Sequence, residues 1–209
     1  MARPSQGIDQ ALLRSGLALL PELGCSGLSV RGVAEHAGVN PAMFHYHFGS
    51  KAAFLRELLQ QLYEQMFTSL SADAARQGAP VERLRAALFN LACFVREHRA
   101  LVSRLAIDAA NGEAAVHEFV RANAPRHLGL LMALGAEAEQ AGELRPLPPM
   151  QRFAFLMGSV VAPLLAVPAM VAVGAAPAGQ AETQVLDDAA IAQRITLALQ
   201  ALRPAGTGR

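Results

Sequence analysis

The chain has 209 residues, of which 53% are hydrophobic, 17% charged and 5% aromatic. That length fits one domain, or a small domain joined to a larger one, and it can bury a core without covalent staples. The apolar fraction excludes a disordered or collagen-like chain. Eighteen Lys and Arg stand against seventeen Asp and Glu, a formal charge of +1, so the whole-chain balance gives no sign of a nucleic-acid partner. Cys25 and Cys93 are too few for a disulfide framework, and the expected compartment is a reducing cytoplasm.

Alternating strand patterns are nearly absent, and Ala, Leu, Arg, Glu and Gln dominate. The expected fold class is all-α. A first helix is expected from about Ser5 to Leu23, with Pro21 near its end and Gly24 as its stop. Ser29 is a suitable N-cap for VRGVAEHA (30–37), and Gly38 follows it as a turn residue. Asn40 caps the next short helix, PAMFHYH (41–47), with Pro41 at its first position, where no N–H is needed. Ser50 caps a long helix from Lys51 to about Arg76. Further helices are expected at about 80–98, 100–110, 113–123, 126–141, 149–172 and 186–202, with Pro125 separating the fourth from the third. The segment GAAPAGQ (174–180) reads as a loop.

Two short helices joined by the Gly-containing turn AGVN (37–40) have helix-turn-helix spacing, and the second would carry its N-terminal residues toward a major groove. The stretch LALLPELGCSGLSVRGVAEHAGVNPAMFHYHFGSKAAFLRELL (17–59) resembles the N-terminal domain of the tetracycline-repressor (TetR) family of transcriptional regulators. SVRGVAEHAGV (29–39) and FHYHFGSKAAFL (44–55) carry the resemblance. GELRPL (142–147), ahead of a long apolar helix, also looks typical of the family.

The resemblance implies a DNA-binding domain over 1–50 and a helical regulatory, ligand-binding and dimerisation domain over 51–209. It implies that Ser29 caps its helix and touches a phosphate, and that Arg31 reaches phosphate or a base edge. Asn40, Pro41, Ala42 and Met43 would face the groove floor, with Tyr46 and His47 on the backbone. His45 stands where the family often has Tyr, a departure that puts the usual tyrosine contact in doubt. Lys51 adds its charge to the positive end of a helix dipole, a natural phosphate site. The recognition helix holds neither Arg nor Lys, so a bidentate Arg–guanine contact from its face is unavailable. Asn40 suits adenine; Ala42 and Met43 suit a thymine methyl.

No catalytic triad, phosphate loop or paired-carboxylate motif stands out, which argues against an all-helical enzyme, and no cofactor is expected. His45 and His47 point about 200° apart on a helix and cannot share one metal ion. In the family the faces of the larger domain line a ligand pocket. Phe67, Phe89, Asn90, Phe94, His98, Phe119 and His127 are the candidate lining residues, with Arg104 and His117 as further polar candidates. The scarcity of charge clusters points to a mainly apolar or aromatic effector. The last two long helices are expected to form a homodimer through Phe155, Gly158, Ser159 and Ala162, and through the stripe Ile191, Ile195, Ala198, Leu202. The 29 uncharged residues from Phe153 to Ala181 also pass as a membrane-span candidate. Pro163, Pro168 and the missing Lys/Arg flanks favour a buried dimer helix instead.

The expected molecule is a ligand-responsive repressor that binds a palindromic operator as a homodimer. Residues 1–56 carry five basic and three acidic side chains, so a mildly basic head is joined to a near-neutral body. Three of the six histidines, His36, His45 and His47, lie in that head.

Overall fold

A computed structural model describes residues 6–204, and all regular structure among them is helical. Ser5, the expected start of the first helix, lies outside the described residues. The elements are α1 (Gln6–Gly27), α2 (Val30–Ala37), α3 (Pro41–Phe48), α4 (Lys51–Ala74), α5 (Pro80–Glu97), α6 (Arg99–Ala110) and α7 (Ala114–Gln140). They continue with α8 (Pro149–Leu156), α9 (Ala162–Ala172), α10 (Ala178–Ala181) and α11 (Asp188–Ala201). A π-helical turn, Met157–Val161, joins α8 to α9, and a second, Glu182–Leu186, follows α10.

Local chemistry explains most of these boundaries. Ser29 Oγ accepts from the Gly32 N–H at 3.0 Å, and Asn40 Oδ1 accepts from the Ala42 N–H at 2.8 Å. Ser50 Oγ accepts from the Ala53 N–H at 3.2 Å. Each bond satisfies a donor that the first helical turn leaves orphaned. Gly38 ends α2 with φ 69° and ψ 29°, the left-handed conformation that a Cβ disfavours. Asp187 caps α11 through the Ala190 N–H at 2.6 Å.

Three expectations need correction. Pro125 does not separate two helices: α7 runs through it as one element. A proline removes one i→i−4 bond, which a long helix can survive when its flanks are packed. The single helix expected over 149–172 is interrupted by the π turn, where the Ala162 N–H donates to the Met157 carbonyl five residues back. That wider turn comes just before Pro163, which has no N–H to offer. The GAAPAGQ segment is not all loop, since α10 begins at Ala178.

The chain forms two compact units. The first holds the residues up to Gln65 and Ala100–Asn123; the second holds Met66–Arg99 and the residues from Ala124 on. They do not divide at residue 50, because the first half of α4, most of α6 and the start of α7 group with the helix-turn-helix.

In the first unit, Phe44, Phe48 and Phe54 pack as a triad with ring centroids 4.8–5.5 Å apart. This ties α3 to the start of α4. Tyr63 donates to the Asn123 carbonyl at 2.8 Å and meets the Phe119 ring edge-on, which ties α4 to α7. In the second unit, α11 packs on α5, on α8 and on the first π turn. Ile191, Ile195, Ala198 and Leu202 are all buried there, together with Leu84, Leu88 and Leu156. That overturns their expected place in a dimer surface: the apolar stripe of α11 serves the protomer's own core. Arg83 pairs with Glu137 at 2.7 Å, and the buried Arg152 pairs with Glu139.

Candidate nucleic-acid interface

The face that α3 leaves to solvent follows from what it buries. Phe44 and Phe48 point into the aromatic triad, so the helical period turns Ala42, His45 and Tyr46 outward. Tyr46 is 75% exposed, an unusual cost for an aromatic ring. Asn40 and Pro41 are exposed at the same end, whereas Met43 is half-buried. The solvent-facing side of α3 is therefore Asn40, Pro41, Ala42, His45 and Tyr46, with Met43 at its margin.

The two histidines behave differently. The His45 Nδ1–H donates to the Gly49 carbonyl at 3.1 Å, which satisfies an orphan acceptor at the end of α3 and leaves the far ring edge exposed. His47 is half-buried beside the Tyr46 ring, and its Nε2 is buried with no hydrogen-bond partner among the described residues. Among the described residues no group of three or more His, Cys, Asp or Glu is placed to hold a metal ion.

Two cations lie on the adjoining elements, Arg31 on α2 and Lys51 at the start of α4. Ser29 and Arg31 are exposed on α2. Arg31 Nε pairs with Glu35 Oε1 at 2.7 Å, and both side chains are largely in solvent, so a phosphate can take the place of the carboxylate at little cost. Lys51 Nζ donates to the Ser26 carbonyl at 2.9 Å. An ammonium has three donors, so this bond orients Lys51 at the start of α4 without exhausting it.

One part of the site was not foreseen. Asp108 on α6 is buried; its Oδ2 accepts from the Cys25 N–H at 2.8 Å, and its Oδ1 from Arg104 Nε at 3.1 Å. Arg104, expected to orient a ligand, lies instead against the end of α1, its Nη2 donating to the Leu23 carbonyl at 3.4 Å. Nothing local marks this contact in the sequence, since its ends are 83 residues apart. Burial pushes the Cys25 thiol up to about 12, with Asp108 adding to the shift, so Cys25 is a protonated core residue and not a redox sensor.

The seven candidate pocket residues are all half-buried. Phe119 packs with Tyr63 in the first unit, and the other six belong to the second. There, Phe94 stacks near His98 at 4.5 Å, Arg126 sits 4.2 Å over the Phe67 ring, and Asn90 donates to Asp73 at 3.1 Å. Phe89 lines an open groove of about 480 Å³ with Arg76, Arg83, Arg85 and Thr196. His117, on α7, bonds the Ala109 carbonyl at 2.8 Å.

A family model described as bacterial regulatory proteins of the tetR family matches residues 12–58, the segment that carries α1, the two motif helices and the start of α4. Over that segment the chain is similar to the N-terminal domain of the TetR family. The matched part is the helix-turn-helix segment just described. The HTH-type transcriptional regulator BetI of Brucella suis is 28% identical to it over 89 residues, covering 41% of this chain and 45% of that protein. The chain thus spans about half the length of the curated relatives it matches. Likeness of fold extends further. A TetR family transcription regulator from Marinobacter aquaeolei VT8 superposes with a TM-score of 0.67 at 18% identity, covering 98% of this chain and 100% of that one. FadR from Bacillus subtilis in complex with stearoyl-CoA gives 0.72 at 14%, covering 93% and 99%. The curated relatives that it matches are named as HTH-type transcriptional regulators.

Proposed function

We propose that this chain is a member of the TetR family that represses transcription as a homodimer on a palindromic operator and is released by a small, mainly apolar or aromatic effector. One observation carries the DNA-binding part. A helix-turn-helix capped at both starts turns Ala42, His45 and Tyr46 to solvent, and the adjoining α2 and α4 carry Arg31 and Lys51. Phosphate contacts from Ser29, Arg31, Tyr46, His47 and Lys51 would position the head, and Asn40, Pro41, Ala42 and Met43 would read bases. The mild charge of the head makes each head's own affinity modest, so two heads are needed on one site.

Dimerisation is supported by the 24-residue stretch Pro149–Ala172. Its mean hydropathy reaches 2.1, yet only 17% of that apolar window is buried in the protomer. Phe155, Gly158 and Ala162 are exposed on it, and Leu197 is exposed on α11. An apolar surface of this kind asks for a cover, and a two-fold mate supplies one with both reading heads in register. The effector reading rests on the apolar side chains of the second unit and on the shared fold with a structure that holds stearoyl-CoA. An effector acts by binding one of the two states better than the other.

Selection of genomic DNA with the purified protein tests the reading. An enriched inverted repeat is expected, bound with a steep salt dependence; no enrichment over random DNA rejects it. A thermal-shift screen tests the effector. Stabilisation by polyanions alone rejects an apolar or aromatic one.

A further inference from the structure

We propose that Asp108, together with Arg104, is a positioning residue for DNA recognition, fixing the turn at residues 24–28 that sets the angle of the helix-turn-helix. The inference rests on the DNA-binding reading above.

The turn exists because α1 breaks at Gly24, whose φ 70° and ψ 174° belong to a region essentially restricted to glycine. The chain then restarts as a single turn, closed by the Leu28 N–H on the Gly24 carbonyl at 3.1 Å. A break of this kind orphans a carbonyl before it and an N–H after it. Both are taken up from α6: the Leu23 carbonyl by Arg104 Nη2, and the Cys25 N–H by Asp108 Oδ2. The guanidinium also lies over Gly24 so closely that a Cβ there would meet it at 2.2–2.5 Å.

The other side of the turn is held from α4, where Lys51 Nζ reaches the Ser26 carbonyl. One turn of chain is thus gripped by α6 and by α4. Ser29, the cap of α2, lies just beyond it. A buried carboxylate is a costly way to hold a connector, because its desolvation must be offset by every partner it has. What such a group supplies that an apolar contact does not is direction. It fixes the start of α2 in angle as well as in distance, and α3 is carried with α2. A dimer that reads two half-sites at a set separation needs heads held at a set angle.

The test uses full-length protein on the DNA that the wild type selects, and on the same DNA with one base pair inserted at its centre. The wild type should lose about tenfold or more on the insertion. Asp108→Asn keeps the shape but loses the charge that holds Arg104; Arg104→Met keeps the stem and loses the grip. Both should bind the selected DNA about fivefold more weakly and tolerate the insertion better, with the penalty falling below about threefold. No loss, or an equal loss on both DNAs, overturns the proposal. Wild-type protein that selects no DNA removes the reading beneath it, whereas variants that keep the full insertion penalty overturn the proposal alone. Amide exchange in the wild type needs no variant to fold: the Cys25 N–H should be strongly protected, and exchange at the rate of an unstructured amide overturns the contact.

Discussion

Single residues in this protein are set by what they replace water with. Cys25 is fully buried, and its thiol is held up at about 12 against an ordinary 9.0. The folded state therefore keeps a proton that the unfolded state releases. Stability from this group is complete below pH 9 and is lost as pH rises from 9 toward 12. Alkylation at pH 8 should label the half-buried Cys93 first and reach Cys25 only after denaturant is added; equal labelling in the native protein would contradict the burial. Lys51 combines a structural bond to Ser26 with a free charge. Lys51→Ala should weaken binding alike on every DNA sequence and reduce the salt slope by about one. A loss of affinity at unchanged slope would leave it only the structural role.

At the level of elements, short caps and one break shape the reading head. Ser29→Ala should cost about 1 kcal/mol in chemical denaturation, since the Gly32 N–H loses its partner. Gly24→Ala should cost more, about 2–3 kcal/mol or above, because it combines a disallowed backbone with a clash on Arg104. A midpoint unchanged within error would mean that the break is not fixed in solution. These caps were legible in the sequence because capping acts within three or four residues: Ser29, Gly38, Asn40 and Pro41 stand where expected. Pro125 was misread for the converse reason. Whether a proline ends a helix or sits inside one depends on how well its two flanks are packed, and that packing comes from elsewhere in the chain.

At the level of the whole molecule, burial decides which apolar faces are free. Phe155→Glu should shift the proposed dimer toward monomer in light scattering while the protomer stays helical, because Phe155 is 40% exposed. Ile195→Glu should instead unfold the protomer, because Ile195 is fully buried. A folded monomer from Ile195→Glu would restore α11's stripe to the dimer surface. The sequence by itself determined the all-helical class and the capped helix-turn-helix, since these rest on short-range periods and caps. It also marked 149–172 and 186–202 as apolar. Only the tertiary structure decided that α11 turns its stripe inward and that Arg104 and Asp108 grip a turn some eighty residues away. A period shows that a face is apolar but not what covers it, and a buried polar group shows its partner only when the fold brings the two together.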